Sequence, residues 1–437
     1  MLPPQITAMH LFSARIRRRT KAPFLLFFLS SITAGAISGG DDSSVDSSHR
    51  VGLADSRSGY ESEAYRTDSK VIIEASGIRQ SLHKLRDETP LGLPIVKEGA
   101  SAAEIDLGRE LFFDRRLSAN DTLSCAMCHI PEQGFTQNEL ATPVGHQGKG
   151  VRRNVPSLYN VVFVKQLFLD GRESSLVEQI WSPLLAHNEM ANQNRQSVMA
   201  KIAANESYAQ RFETLYPEGL SERSLGWALS AYQRALLSGD SDFDRWYFAN
   251  GSVSKDPYPS EAAFGFALFK EKGCSSCHQL GDNNGLFSDG GFHNTGVGYR
   301  RQQRGEQLDS VQLAPGVYVV PLVSAETETF VDNGRSEVTG LSGDRWQYRT
   351  PSLRNVAITF PYMHDGSLPT LESVVAYYAG NGSEDPLQDV RISDMTITVD
   401  EQQALVAFLR TLTSNQVDAL VSDARSVVIG ERGAAGL

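Results

Sequence analysis

A chain of 437 residues is too long for one ordinary core and long enough for two. Its 41 basic and 52 acidic residues give a formal charge of −11, which excludes a nucleic-acid binder, since that function needs a cationic surface to displace counterions. The acidic balance suits a protein that stays in solution or meets a basic redox partner.

At the start of the chain Arg15, Arg17, Arg18, Arg19 and Lys21 precede an apolar run from Ala22 to Ala36, and residues 1–36 contain no acid. A basic start, a short apolar core and a small-residue exit are the parts of an export signal. The run is short for a membrane span, and an uncleaved anchor is the alternative. Residues 37–65, the greater part of a leader that spans 37–85, are rich in Ser, Asp and Gly. With few large apolar side chains they cannot bury enough surface to offset the entropy of ordering, which predicts a disordered leader.

From about residue 86 the pattern changes. Ala102–Leu117 sets Leu107 and Leu111 four apart, with Ile105, Gly108 and Phe112 on the adjoining stripe, the spacing of an amphipathic helix. Next comes Cys125-x-x-Cys128-His129, the attachment signature of a c-type haem. The two thiols bond the porphyrin vinyl groups and the adjoining imidazole ligates the iron, so five consecutive residues anchor the cofactor and supply one axial ligand. Ala262–Lys272 repeats the helix, and Cys274, Cys277 and His278 repeat the motif, which together use all four cysteines of the chain. The alternatives are a Cys/His zinc site and two short disulfides. Zinc would require both cysteine pairs in one cluster and would leave each following histidine unexplained.

Between the motifs helices are expected at Leu176–His187, Gln193–Ala203, Ser207–Leu215 and Ser221–Leu237, and beyond them at Leu371–Tyr378 and Asp400–Leu412. Strand patterning is confined to Gly316–Val323. The repeat predicts two similar helical domains, residues 86–245 and 258–415, each with one covalently bound haem c. A polar join over Gly239–Pro259 separates them, and 416–437 forms a tail that frays from Gly430 to Leu437.

Asp170-Gly171-Arg172, Phe292-His293-Asn294-Thr295-Gly296 and Arg349-Thr-Pro-Ser-Leu-Arg-Asn-Val356 are followed by Pro361-Tyr-Met-His-Asp-Gly366. Together these stretches resemble the bacterial di-haem cytochrome c peroxidase and MauG family over roughly residues 91–412. The resemblance implies a mainly α fold of two cytochrome c-like haem domains with few short strands. It also implies that peroxide is cleaved at the N-terminal haem, with His129 on its iron, and that the C-terminal haem, with His278, stores or relays electrons.

The family's peroxidatic pocket falls on Gln179, Pro183 and Glu189. Heterolysis of the O–O bond needs a group that takes a proton from one oxygen and delivers it to the other, which makes Glu189 the expected acid/base. An exposed surface acid is the plainer reading, and His187 is a weaker rival. His146, in a Gly-rich loop, matches the residue that caps the first iron in the better-known peroxidases; the alternative is a surface histidine. For the second haem the helix after Gly366 contains no Met. Tyr378 occupies the matching position, with Met363 as the substitute ligand and Tyr377 one register away. A phenolate lowers the potential of haem iron and a thioether raises it. Tyr378 therefore points to the MauG branch, whereas His146 with Met363 would mark the peroxidase branch.

The family's inter-haem calcium ion maps onto Asn154, Thr359 and Pro361, whose oxygens are the donors calcium requires. Leu169 stands where relatives carry a Trp relay, leaving Phe168, Trp181 and Trp346 as aromatic candidates. His293 and His364 are expected to be hydrogen-bonded structural residues or propionate contacts. Implied partners are hydrogen peroxide and either a small cytochrome or cupredoxin donor or a protein substrate, in the periplasm. Family members are often homodimers. The competing class is a non-catalytic di-haem electron carrier; a haem-based sensor is more remote, because no output domain is visible.

Overall fold

The computed structural model describes residues 89–96, 99–249, 257–304, 311–314, 317–319, 332–380, 382–392, 395–427 and 429. The expected signal and leader, residues 1–85, lie outside them, as do residues 430–437. The first helix, α1 (Ala102–Phe113), begins on a capping box. Ser101 Oγ accepts the Glu104 N–H at 3.3 Å while the Glu104 carboxylate accepts the Ser101 N–H at 2.7 Å. It ends earlier than expected because buried Asp114 accepts the Arg116 N–H, the Arg116 guanidinium and the Tyr208 hydroxyl. Arg115–Leu117 continues only as a 3-10 turn.

Further along, the expected helix at Leu176–His187 is two short ones, α2 (Leu176–Gln179) and α3 (Trp181–Leu185). Pro183 explains the break, since it has no N–H to return to the carbonyl four residues back. Then come α4 (Arg195–Ala203), α5 (Glu206–Leu215), α6 (Glu222–Ala235), α7 (Asp242–Tyr247), α8 (Ser260–Glu271), α9 (Val297–Arg304), α10 (Ser336–Thr339), α11 (Leu371–Ala379), α12 (Val399–Arg410) and α13 (Val417–Arg425). Strand is scarce, as expected. β1 (Phe292–Asn294) pairs antiparallel with β4 (Gln347–Arg349), Phe292 opposite Arg349, and β2 (Val311–Ala314) pairs with β3 (Val317–Val319). The remainder of the strand expected over Gly316–Val323 lies outside the described residues.

Two apolar cores result, and they are built alike. In the first, α1 crosses α6 so closely that a β-carbon on Gly108 would lie 1.9 Å from the Ala228 carbonyl oxygen. In the second, α8 crosses α12, and a β-carbon on Gly265 would lie 1.9 Å from the Ala404 oxygen. Each core also holds an asparagine at positive φ, Asn160 (62°) and Asn355 (60°), a conformation that Asn tolerates better than most residues. Asn160 bonds back to Ser238 just after α6, and Asn355 to Ser414 just after α12, so each fastens the exit of its helix.

Two segments depart from the expected plan. The polar join contains α7, and its Phe243 belongs to the second core. Next to it Asp244 forms a fully buried ion pair with Arg354 at 2.8 Å. The segment 416–437, expected to trail beyond the second domain, supplies α13, whose Leu420 and Ala424 are buried in the first core. Arg109 fixes it there by pairing with Asp423 at 2.7 Å. No helix among the described residues is long and apolar enough to cross a membrane.

Candidate functional site

Cys125 to Met127 forms a single 3-10 turn, reached from α1 through the turn Arg115–Leu117 and the segment 118–124, with the His129 N–H bonded to the Cys125 carbonyl at 2.9 Å. This compact turn brings Cys125, Cys128 and His129 onto the wall of one cavity of about 610 Å³. Phe135, held at φ 55°, turns its carbonyl to the His129 ring, 2.9 Å from Nδ1. A carbonyl can only accept, so Nδ1 carries the proton and Nε2 keeps the lone pair a metal needs. Burial also pushes the imidazole down to about 4, which keeps it neutral.

The second motif repeats the device. His278 Nδ1 lies 2.9 Å from the carbonyl of Phe287, itself at φ 52°, and burial lowers this ring too. The four thiols are free, which disposes of the disulfide alternative. Zinc fails as well, because Cys125 packs against the first core and Cys274 against the second. Free thiols beside a neutral, oriented imidazole fit covalent haem at each motif, and at the first they line a cavity.

The lining of the first cavity also includes Gln179, Pro183 and Glu189, together with Phe168, Leu169 and Arg172. Burial raises the Glu189 carboxyl above its ordinary value, partly opposed by the Arg172 guanidinium. Its charge in turn helps to raise the thiols of Cys125 and Cys128, so it faces the attachment site. Of the three aromatic alternatives to the missing Trp, Phe168 lines the cavity, whereas Trp181 is buried in the first core and Trp346 lies against Tyr299. His187 is exposed and off the cavity wall. His146 is off the wall as well. Its N–H donates to the Glu189 carbonyl at 2.9 Å, and Gly145 before it passes so close to Asn188 that a β-carbon would lie 2.1 Å from its carbonyl oxygen.

Around the second motif, Tyr378 comes down from α11 beside Cys274 and Cys277, whose charges add to burial in raising its phenol. Tyr377 is committed elsewhere, donating its hydroxyl to the Thr295 carbonyl at 2.7 Å. Met363 sits in a turn at φ 72°, where its carbonyl accepts the Gly366 N–H. Asn154 donates its side chain to Ala141 and its N–H to the His364 carbonyl, while Thr359 packs under Gly134, so these two lie where the cores meet. Pro361 follows two residues after Thr359.

His293 is clamped between Asp289 and Asp389, 2.9 Å from each, and is pushed up to about 9, first by the Cys277 thiol and then by Asp289. Thioether formation at Cys277 would remove the first of these causes. His364 is buried and stacks on Tyr348 with ring centres 3.8 Å apart. Sequence reasoning quoted Arg349 at the head of a motif but gave it no role; β4 places it on the first cavity's wall although it belongs to the opposite half of the chain.

A mainly helical chain with two cores, each presenting a c-type haem motif and one of them opening on a cavity with a buried carboxyl, defines a di-haem oxidoreductase. The profile described as di-haem cytochrome c peroxidase matches residues 102–252. Methylamine utilization protein MauG of Methylorubrum extorquens is 32% identical over 333 residues, 75% of this chain and 84% of that protein. Cytochrome c peroxidase Ccp of Escherichia coli is 30% identical over 291 residues, 66% of this chain and 56% of that one. Among solved structures, a MauG-like protein associated with microbial copper homeostasis superposes with a TM-score of 0.60 at 29% identity, covering 76% of this chain and 94% of its own. The diheme peroxidase BthA from Burkholderia thailandensis gives 0.59 at 28%, covering 74% and 88%. The chain belongs to the di-haem cytochrome c peroxidase and MauG family. It is an oxidoreductase of the di-haem peroxidase or MauG kind, with two haem c groups.

Proposed function

We propose that the first cavity cleaves hydrogen peroxide with Glu189 as the acid/base, and that the chain follows the MauG branch, drawing electrons from side chains of a protein substrate. When bound, the two haem irons supply the redox chemistry. The single observation that carries this reading is Glu189 on the cavity wall with His129, its carboxyl raised by burial. A carboxylate with a raised pKa accepts a proton from one peroxide oxygen and returns it to the departing one, and both products are water once two electrons and two further protons arrive. Gln179 supplies a neutral hydrogen-bonding amide on the same wall, and Pro183 a rigid surface without an N–H.

Tyr378 supports the MauG branch. Burial disfavours its phenolate, so that form needs a neighbouring cation, which ferric iron beside Cys274 and Cys277 would provide. A small cytochrome or cupredoxin as donor is the competing electron source. The reading extends to a calcium ion held by Asn154 and the carbonyls of Thr359 and Pro361, to export into the periplasm through residues 1–36, and to a homodimer.

The test is the purified di-haem protein mixed with peroxide while the Soret band is followed. Glu189→Gln should slow the reaction by about 10²–10⁴-fold with haem content unchanged, and an unaltered rate refutes the assignment. Tyr378→Phe should change the ferric absorption and EPR spectra; identical spectra exclude phenolate ligation. A protein inert to peroxide with every donor is an electron carrier.

A further inference from the structure

Four arginines line the first cavity, and three of them are matched by carboxylates. Arg152 pairs with Glu337 at 2.8 Å, Arg153 with Asp170 and Asp332 at 2.6 Å, and Arg172 with Asp170 at 3.0 Å. Arg349 has no acidic partner among the described residues. Its Nε donates to the Phe168 carbonyl at 3.2 Å and its Nη1 to the Thr350 carbonyl at 3.4 Å, both neutral acceptors. Among the described residues no hydrogen bond engages its Nη2. A half-buried guanidinium with only carbonyls for company is costly unless an anion completes its shell. Burial alone acts on it and lowers its affinity for the proton.

Its placement is deliberate. The Arg349 N–H donates to the Leu169 carbonyl at 2.8 Å, which fastens β4 to the segment that forms the cavity wall. Pro351, two residues on, has its backbone against the His278 ring. One short stretch therefore touches the histidine of the second motif and the cavity of the first. A c-type haem brings two propionate carboxylates, and an arginine fork matches a carboxylate in shape and charge.

We propose that Arg349 forms the salt bridge to a propionate of the haem in the first cavity, so that this haem is gripped from the opposite half of the chain. The inference rests on that cavity holding the haem bound at Cys125 and Cys128, and not on the role of Glu189. Arg349 is a positioning residue. Its charge offsets the propionate's, which favours the reduced iron and raises the potential of that haem relative to a neutral side chain.

The experiment is a spectroelectrochemical titration of the purified di-haem protein. The two redox waves are first assigned with His129→Met and His278→Met, each of which moves the wave of its own haem. Arg349→Leu should lower the first-haem wave and leave the second where it is, and Arg349→Lys, which keeps the charge, should restore most of the shift. Should Arg349→Leu fail to retain haem, Arg349→Gln, which can still donate to the Phe168 carbonyl, is read in the same way. A first-haem wave at the parent's position in a neutral variant overturns the proposal, as does a fall confined to the second haem or equal in both. Because peroxide takes no part in the titration, an inert protein that shows the selective shift retains this inference while losing the proposed function.

Discussion

Gly108 and Gly265 are the sharpest structural test of how the two haem-bearing cores are held. In an exposed helix Gly→Ala would stabilise by about 1 kcal/mol. At Gly108 the new methyl would stand 1.9 Å from the Ala228 oxygen, 2.8 Å from its carbonyl carbon and 3.1 Å from Tyr232 Cβ. A carbon and a carbonyl oxygen rest about 3.3–3.6 Å apart, so α1 and α6 must separate by roughly 1.5 Å. The obstacle is backbone and cannot rotate aside. A gap of even 0.5–1 Å forfeits about a quarter to a half of each dispersion contact, which puts the cost at the upper end of overpacking, about 3 kcal/mol. The net loss is then about 2 kcal/mol, or a fall of about 4–8 °C in Tm. Gly265→Ala, at the same 1.9 Å from the Ala404 oxygen, should behave alike. Gly343→Ala, with no atom within 4 Å of the added carbon, is the control and should be close to neutral. Calorimetry of the di-haem protein reads all three. A Gly108→Ala protein that melts with the parent or above it refutes the reasoning.

Removing one partner of the buried Arg354–Asp244 pair, as in Arg354→Met, should destabilise by about 3–5 kcal/mol in denaturant titrations, because Asp244 is left charged in an apolar core. Burial raises the Glu189 carboxyl, so its protonated form persists above the ordinary glutamate range. The rate of reaction with peroxide should accordingly fall on an acidic limb centred above about 4.3, a limb absent in Glu189→Gln. The same sign applies to stability: a raised carboxyl contributes below the unfolded value and loses that contribution as pH rises through the folded one, so Glu189→Gln should gain stability at neutral pH. If a calcium ion bridges the cores at Asn154, extended treatment with a calcium chelator should lower Tm and calcium should restore it; Asn154→Ala should be insensitive to both.

What could be read from the residues was whatever local chemistry fixes at short range. Cys-x-x-Cys-His needs five residues, and the helices before each motif announce themselves by the spacing of Leu107 and Leu111 or Phe266 and Phe269. Helix α7 escaped because six residues are too few to show a period. The apolar face of α13 is present in the sequence, but nothing in it says which core that face will cover. Pro183 could have warned of the split between α2 and α3. Glu189, Gln179 and Pro183 were reachable only through family resemblance, since no local pattern marks three residues that meet on a cavity wall. Arg349 was quoted in a motif, but its role was illegible for a related reason: it stands out by the carboxylate it lacks, and that is a property of the folded chain.

Helix α13 leaves the first core assembled from distant parts of the polypeptide, with Leu420 and Ala424, nearly three hundred positions after the first motif, packed among residues that lie between Ile105 and Leu236. Cutting between the two halves would therefore not release a finished N-terminal unit, but one with an open apolar seam and Arg109 deprived of Asp423. During synthesis, that seam stays open until α13 has emerged, after every residue of the second core.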